Sequence, residues 1–289
     1  MKAITEKGVL SVKMNFFTSA RQHDWLICVD SDGCAIDTMD VKHIRCFGPC
    51  MVAEWGLESW AEPILARWNE INLYTMTRGI NRFKGLSIAL TEIDRQYKKI
   101  DGIEELIRWV DSGAAPSNDA VLAAYEATQC EIFKKALSWS KAVNIAIDAL
   151  PMETKKAFPG VAEGLATAHK VADVVVVSSA NKDAVTEEWK RYGLLDNVDY
   201  LMCQDAGTKV QCIARLKEMG YATNHILMCG DAPGDKTAAE KNGVYFYPIL
   251  VRHEAESWSE FQQALIHLLN GSYASYGAAK AEEFLQNLS

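Results

Sequence analysis

Four aspartates in this 289-residue chain have the side chains and the spacing to hold a metal ion. They are Asp30, Asp32, Asp231 and Asp235. The first two follow the apolar run Leu26–Val29, and the last two follow the apolar run Ile226–Cys229. Carboxylate oxygens are the ligands that a hard divalent cation such as Mg²⁺ prefers. The pattern therefore predicts a Mg²⁺ site, with these four aspartates as the candidate ligands.

A hydroxyl and a lysine occupy comparable places after two further apolar runs. Ser178 follows a run of four valines, and Lys209 opens the helical segment after Tyr200–Met202. A serine hydroxyl and a lysine ammonium can both donate to phosphate oxygens. Two alternatives stay open at this point, because Ser179 competes with Ser178 and Lys182 competes with Lys209.

The segment Gly230–Thr237 superficially resembles a nucleotide-binding loop. It reads GDAPGDKT, so Asp235 stands between the glycine and the lysine. A carboxylate there would face the phosphates of a nucleotide, and we therefore reject an ATP-binding loop. The chain also lacks the pattern G-x-G-x-x-G, so the sequence gives no support for a dinucleotide cofactor.

Five short apolar runs without polar alternation predict parallel strands that are buried on both faces. They are Leu26–Val29, Val174–Val177, Tyr200–Met202, Ile226–Cys229 and Tyr245–Leu250. Helical segments lie between the later runs, among them Ala184–Tyr192 and a second that ends at Gly220. This alternation predicts an α/β fold, a three-layer, doubly wound parallel sheet of the Rossmann-like kind. Such sheets bind ligands at the carboxyl ends of their strands, where we expect the candidate residues to meet.

The region after the first strand has helical patterns and almost no strand-like runs. Its helical segments are Trp60–Tyr74, Phe83–Tyr97, Ile103–Val110 and Asp119–Leu150. We predict an all-helical domain at 39–159, inserted into an α/β core of residues 1–38 and 160–289. Within the insertion, Arg78 or Arg82 is a candidate for gripping anionic or hydroxyl groups of a substrate. The alternative for this basic cluster is a solvated helix face.

Composition restricts the classes of partner. The net charge is −8, which argues against binding the phosphate backbone of nucleic acid. No apolar stretch approaches the roughly 18 residues of a membrane helix, and the first residues lack the apolar region of a signal peptide. None of the eight cysteines forms a C-x-x-C pair. We expect a reduced, cytoplasmic protein that binds neither nucleic acid nor a membrane, and the sequence says nothing about its oligomeric state.

The order of these motifs, each after a strand, resembles the haloacid dehalogenase-like superfamily. The similarity is to its phosphatase branch, in which a helical cap is inserted after the first motif. The resemblance covers most of the chain, with the core at about Trp25–Thr38 and Gly160–Leu268 and the cap at about Met39–Pro159. It implies a Rossmann-like catalytic core, a Mg²⁺ cofactor and a small phosphorylated metabolite as the substrate.

The resemblance also implies catalytic roles. Asp30 is the nucleophile that forms an aspartyl phosphate, and Asp32 is the general acid and base. Ser178 binds the phosphoryl group. Lys209 neutralises charge on the nucleophile and the phosphate.

Metal ligands follow from the same resemblance. Asp231 binds Mg²⁺ together with the carboxylate of Asp30 and the backbone carbonyl of Asp32, and Asp235 supports the metal directly or through another ligand. The chain departs from the family at Cys34, where members commonly have threonine. A thiol is a weaker hydrogen-bond partner than a hydroxyl.

Two other functions are compatible with the same motifs. A phosphomutase of the β-phosphoglucomutase type keeps the same core residues but returns the phosphoryl group to a sugar. A non-catalytic protein that binds a phosphorylated ligand is the other alternative. An intact acidic cluster argues against a pure binding protein, since such a protein has no need of repelling carboxylates. The reaction product distinguishes the three.

Overall fold

The computed structural model describes residues 21–113 and 116–289, which form two compact units. One unit comprises residues 21–37 and Lys155–Leu288, and the other comprises Thr38–Thr154. Each has its own cluster of buried apolar side chains. The second unit therefore stands as a separate body inserted in the sequence of the first.

A five-stranded parallel sheet forms the centre of the first unit. Its strands are β1 (Leu26–Val29), β4 (Asp173–Val177), β5 (Tyr200–Met202), β6 (Ile226–Gly230) and β7 (Tyr245–Pro248). They lie in the order β5-β4-β1-β6-β7, so the predicted doubly wound parallel sheet is confirmed. A short antiparallel pair, β2 (Ile36–Asp37) and β3 (Lys156–Ala157), joins the segments that precede and follow the second unit.

The apolar runs form these strands because both faces of the sheet are covered. Every residue of β1, β4 and β6 is buried. Val29 at the end of β1 pairs with Val176 of β4 on one side and with Cys229 of β6 on the other. The register thus aligns the carboxyl ends of the three central strands.

All regular secondary structure in the described residues of the second unit is helical. Its α-helices are α1 (Met39–Lys42), α2 (Gly48–Trp55), α3 (Ala61–Asn69), α4 (Arg82–Gln96), α5 (Ile103–Asp111), α6 (Asn118–Thr128) and α7 (Glu131–Asp148). Two π-helical turns, His43–Phe47 and Glu70–Tyr74, continue α1 and α3. Phe83, Trp68 and Trp139 are buried at its centre, and the ring of Trp139 meets each of the other two edge to face.

The single helix that the sequence predicts over 119–150 is in fact two helices. Gln129 adopts a left-handed conformation with φ 56°, which ends α6. A helical pattern in the side chains does not report such a backbone reversal at a residue other than glycine. The predicted apolar stripe is therefore divided between α6 and α7.

Six further helices belong to the first unit. They are α8 (Val161–Ala168), α9 (Lys182–Arg191), α10 (Lys209–Lys217), α11 (Pro233–Asn242), α12 (Glu254–Leu269) and α13 (Tyr273–Asn287). Side chains of α8, α9 and α12 share a core with alternate strand residues such as Ile27 and Val174. The helices α10 and α11 pack on each other and on the sheet, which completes the third layer. Among the helices in the described residues, none has the length and apolarity that a membrane span requires.

Candidate active site

Three of the predicted site residues lie side by side at the carboxyl edge of the sheet. Asp30 directly follows β1, Asp231 directly follows β6 and Ser178 directly follows β4. The Asp30 N–H donates to the carbonyl of Cys229 at 3.0 Å, which extends the strand pairing by one residue. All three side chains are buried. Since the strand order reverses at β1, this edge is the place where an open α/β sheet binds ligands.

Three carboxylates form a cluster, and two of them contact one ammonium group. Oxygen atoms of Asp30, Asp231 and Asp235 lie within 4.8 Å of one another. Lys209 Nζ lies 2.7 Å from Asp30 Oδ2 and 2.5 Å from Asp235 Oδ1. The other oxygen of Asp30 accepts from the N–H of Ser31 at 2.7 Å. Hydrogen bonds thus hold both oxygens of Asp30, and the negative charges outnumber the single positive charge.

Burial and mutual repulsion set the acidity of this cluster. Burial raises the pKa of Asp30 to about 7, since Lys209 opposes this effect only in part and Asp235 adds to it. Burial likewise raises the pKa of Asp235, against the opposing charge of Lys209. For Lys209 itself, burial lowers the pKa, but the two carboxylates outweigh it and leave the pKa above the ordinary lysine value. The lysine is therefore a permanent cation.

Helix starts fix the positions of Lys209 and Asp235. Thr208 caps α10: its hydroxyl accepts from the Gln211 N–H, and its own N–H donates to the Gln211 side chain at 2.9 Å. Lys209 is therefore the first residue of a firmly capped helix. On α11, Asp235 Oδ2 accepts from the Ala232 N–H at 3.1 Å. That bond leaves Oδ1 for the lysine.

Two glycines allow close approaches in the site. Gly33 has φ 80°, a conformation that favours glycine, and it turns the chain back after Asp32. A Cβ at Gly230 would collide with the carboxylate of Asp235. Both glycines were visible in the sequence, but only Gly33 could be read there as a turn residue.

The structure separates the competing serines and lysines by burial. Ser178 is buried, whereas Ser179 is exposed. The side chain that caps α9 is Asn181, and Ser178 Oγ accepts from the N–H of Ala180 at 3.1 Å. Lys182 lies 3.8 Å from Asp205, and both side chains are largely exposed. Its charge is therefore screened by water, in contrast to that of Lys209.

The two arginines of the insertion lie within the second unit. Arg78 is buried and donates to the carbonyl of Leu73 at 2.8 Å. Arg82 is half-buried and donates to two neutral acceptors, Ser140 Oγ at 3.0 Å and Asn144 Oδ1 at 2.7 Å. Burial lowers the pKa of Arg82. Neither side chain is part of a fully solvated helix face.

Sequence analysis missed the residues that hold the turn around Asp32. Trp189 and Trp258 donate indole N–H groups to this turn, and Ser31 receives one of them. Their sequence signal, a tryptophan within a helical pattern, is the same as that of any core residue. Cys34 is buried, with Sγ 3.6 Å from the carbonyl oxygen of Cys229. Burial and the nearby carboxylates raise its pKa well above the usual thiol value, so the thiol stays protonated.

The carboxylate cluster fits a divalent cation, because three buried acids share one counter-charge. We predict that Mg²⁺ raises the melting temperature of the protein, since the ion binds the folded state alone. Saturation at about 100 times Kd corresponds to about 2.7 kcal/mol. Differential scanning fluorimetry with Mg²⁺ and with EDTA measures the shift. In Asp231→Asn the shift should be lost.

Asp205→Asn is the matched control for that substitution, since Asp205 is exposed and lies outside the cluster. It should keep the full Mg²⁺ response. An unchanged response in Asp231→Asn would contradict a metal site at this cluster.

One family model matches the central part of the chain. Residues 110–249 match the model of a family described as haloacid dehalogenase-like hydrolase. Among curated proteins, none matches the sequence.

Several solved structures are similar to this chain at low sequence identity. A hydrolase from Pseudomonas syringae is 14% identical with a TM-score of 0.50, over 85% of this chain and 98% of that one. A haloacid dehalogenase-like family hydrolase from Xanthomonas campestris is 14% identical with a TM-score of 0.49, over 92% and 97%. Another from Streptococcus pneumoniae is 12% identical with a TM-score of 0.49, over 84% and 97%. The likeness to the Pseudomonas syringae hydrolase concerns the fold alone.

Proposed function

We propose that this chain is a Mg²⁺-dependent phosphomonoester hydrolase of the haloacid dehalogenase-like hydrolases, the family whose model matches residues 110–249. Its substrate is a small phosphorylated metabolite. The observation that carries this proposal is the buried cluster of Asp30, Asp231 and Asp235 around Lys209 at the carboxyl edge of the sheet. Hydrolysis of a phosphate ester needs a nucleophile together with positive charge that offsets the negative charge of the phosphate.

Asp30 is the proposed nucleophile. One of its carboxylate oxygens attacks phosphorus, the bond from phosphorus to the ester oxygen breaks, and an aspartyl phosphate forms. Hydrogen bonds from Ser31 N–H and Lys209 orient the carboxylate for this attack. Uncatalysed monoester hydrolysis is among the slowest reactions known, and covalent catalysis divides its barrier into two steps.

Asp32 is the proposed proton carrier. It gives a proton to the leaving oxygen in the first step and takes one from the attacking water in the second, which releases inorganic phosphate and restores Asp30. Asp32 is half-buried, so water can reach it. A carboxyl group that exchanges protons in both steps returns to its starting state at the end of the cycle.

Charge compensation is the role of the remaining residues. Lys209 offsets the repulsion between the phosphate dianion and Asp30. The Ser178 hydroxyl accepts from Ala180 N–H and keeps its own proton for a phosphate oxygen. Asp30, Asp231 and the backbone carbonyl of Asp32 would hold Mg²⁺, with support from Asp235. When bound, the ion supplies positive charge next to the phosphate and lowers the repulsion among the carboxylates.

We take residues 39–159 as a cap on the core of residues 1–38 and 160–289, and Arg82 as its substrate-selecting residue. Two observations support this role for Arg82: the side chain is half-buried, and its hydrogen-bond partners Ser140 and Asn144 are neutral. Among the contacts described above, its positive charge is therefore not neutralised by a carboxylate. We predict that Arg82→Gln lowers kcat/KM at least tenfold for the preferred substrate. Steady-state kinetics across several phosphorylated metabolites measures the loss.

Lys84, an exposed cation two residues further along the same helix, provides the control for Arg82. Lys84→Gln should leave kcat/KM within twofold of wild type. Equal kcat/KM values for Arg82→Gln and wild type on all active substrates would end the assignment of substrate selection to Arg82.

The proposed function is tested by phosphate release from p-nitrophenyl phosphate and a panel of phosphorylated metabolites, with Mg²⁺ and with EDTA. Metal-dependent release of inorganic phosphate is the expected result. An isomerised phosphate ester without release would identify a phosphomutase. Binding of a phosphorylated compound without any product would identify a non-catalytic binding protein.

A further inference from the structure

Two buried tryptophans donate their indole N–H groups to the turn that carries Asp32. Trp189 Nε1 lies 2.8 Å from Ser31 Oγ, and Trp258 Nε1 lies 2.8 Å from the carbonyl oxygen of Cys34. Both indoles are almost fully buried, with exposed fractions of 0% and 2%. The donors belong to α9 and α12, and the two acceptors stand on either side of Asp32. The turn is thus held from both ends by elements remote in sequence.

Hydrogen bonds within the turn define its conformation but do not attach it to the rest of the unit. The Ser31 carbonyl accepts from the N–H groups of Ala35 at 3.0 Å and Ile36 at 2.9 Å. Two other contacts reach the rest of the unit: the Cys34 thiol lies 3.6 Å from the Cys229 carbonyl oxygen, and the Phe158 N–H donates to the Ala35 carbonyl at 3.0 Å, beyond the turn itself. The two indole hydrogen bonds therefore attach the turn to α9 and α12, at one residue before Asp32 and at two residues after it.

We propose that Trp189 and Trp258 are positioning residues that fix the Ser31–Cys34 turn, and with it Asp32, against the substrate site. The proposal rests on the function proposed above, since it concerns the residue that moves the proton. A proton carrier must lie within hydrogen-bond reach of the leaving oxygen. A misplacement of about 1 Å can cost about 100-fold in rate.

Trp→Phe is the appropriate change, because it keeps a buried aromatic ring and removes the N–H donor. We expect Trp189→Phe and Trp258→Phe each to lower kcat at least tenfold while KM changes less than threefold. Tyr273→Phe is the matched control, since it also removes a buried donor, here to the Phe246 carbonyl at 2.8 Å in the same unit. The melting temperature of Tyr273→Phe should fall as in the tryptophan variants, whereas its kcat should stay at the wild-type value.

A kcat within twofold of wild type in both tryptophan variants, with a melting temperature lowered as in Tyr273→Phe, would overturn the proposal.

Ser31→Ala removes the acceptor of the Trp189 bond without a change in the aromatic core, so it decides the question if a tryptophan variant does not fold. It should lower kcat to the same extent as Trp189→Phe. The double variant Trp189→Phe with Ser31→Ala should lose no more kcat than either single variant, because the same hydrogen bond is removed in all three. If the fold-losses in kcat of the two single variants multiply in the double variant, the two substitutions act through independent packing effects, which would contradict the inference.

A second measurement is independent of turnover and so separates this inference from the proposed hydrolase function. The ¹⁵N–¹H indole resonances of the eight tryptophans are followed during Mg²⁺ addition. Those of Trp189 and Trp258 should shift, while that of Trp139, which donates to the Phe47 carbonyl at 3.1 Å in the second unit, should stay. Unmoved Trp189 and Trp258 signals at a Mg²⁺ concentration that raises the melting temperature would refute the positioning role. Absence of phosphate release from the wild type would count against the hydrolase alone.

Discussion

Asp30→Asn abolishes turnover and leaves the fold intact: this is the largest effect that the site predicts. An amide cannot serve as the nucleophile, and removal of a nucleophile that acts within a catalytic group costs about 10⁴- to 10⁶-fold in kcat. The protein should stay folded, because burial already raises the pKa of Asp30 to about 7 and so disfavours its charged form. Without metal, the variant should melt at or above the temperature of the wild type. Phosphate release and thermal unfolding give the two readouts.

Asp24→Asn is the control for this substitution. Asp24 has a 73% exposed side chain and pairs with Arg21 at the surface, so its loss should change neither activity nor stability appreciably. Asp30→Ala guards against slow deamidation of the new asparagine back to aspartate. Mass spectrometry of acid-quenched wild type should also show one added phosphoryl group, absent in both Asp30 variants. Turnover in Asp30→Ala within tenfold of wild type would eliminate the covalent mechanism.

Replacement of the buried lysine should have the second largest effect. Lys209→Met keeps a long unbranched chain but leaves the carboxylates of Asp30 and Asp235 without their shared counter-charge. Loss of one such transition-state donor costs about 100- to 1000-fold in kcat. Removal of one partner from a buried ion pair typically costs about 3–5 kcal/mol of stability.

The stability loss in Lys209→Met should depend on pH in a defined direction. The folded-state pKa values of Asp30 and Asp235 are already raised by burial, and without the lysine they rise further. The folded state then binds more protons than the unfolded state above the ordinary carboxyl pKa of 3.8. The free energy of unfolding therefore falls as pH rises through the folded-state pKa values, so the variant should be less stable at pH 8 than at pH 5. Urea unfolding at the two pH values measures this.

Lys182→Met is the control that separates the two lysines. Lys182 is an exposed residue whose nearest carboxylate lies 3.8 Å away, so kcat should change less than twofold and stability by less than about 0.5 kcal/mol. Lys209→Arg, which keeps the positive charge, should recover much of the stability. If Lys182→Met loses activity and Lys209→Met does not, the phosphate-binding lysine is Lys182.

Much of the core follows from local sequence patterns. The runs at β1, β4 and β6 are apolar at nearly every position, and only a sheet covered on both faces can bury such runs. The strand bounds expected from the sequence agree with those observed for β1 and β5 and differ by one or two residues for β4, β6 and β7. Since each candidate residue directly follows its strand, parallel pairing places Asp30, Ser178 and Asp231 at one edge.

Local sequence patterns predict the structure less well where the backbone leaves regular secondary structure. The predicted helix over 119–150 is broken at Gln129, whose left-handed conformation has no apolar signature. Arg78 and Arg82 appear in the sequence as a basic cluster, yet Arg78 is buried and donates to the carbonyl of Leu73. The fate of a charged side chain depends on which polar groups the fold brings to it.

By itself, the sequence determined the α/β class, the order of elements and the set of candidate residues, because strand burial and turn chemistry act over a few neighbouring positions. Only the tertiary structure decided that Lys209 lies against Asp30, and that Trp189 and Trp258 reach the turn around Asp32. The tryptophan contacts join residues 158 and 224 positions apart. At such separations the partners are chosen by the packing of whole helices on the sheet, and no spacing in the sequence encodes that choice.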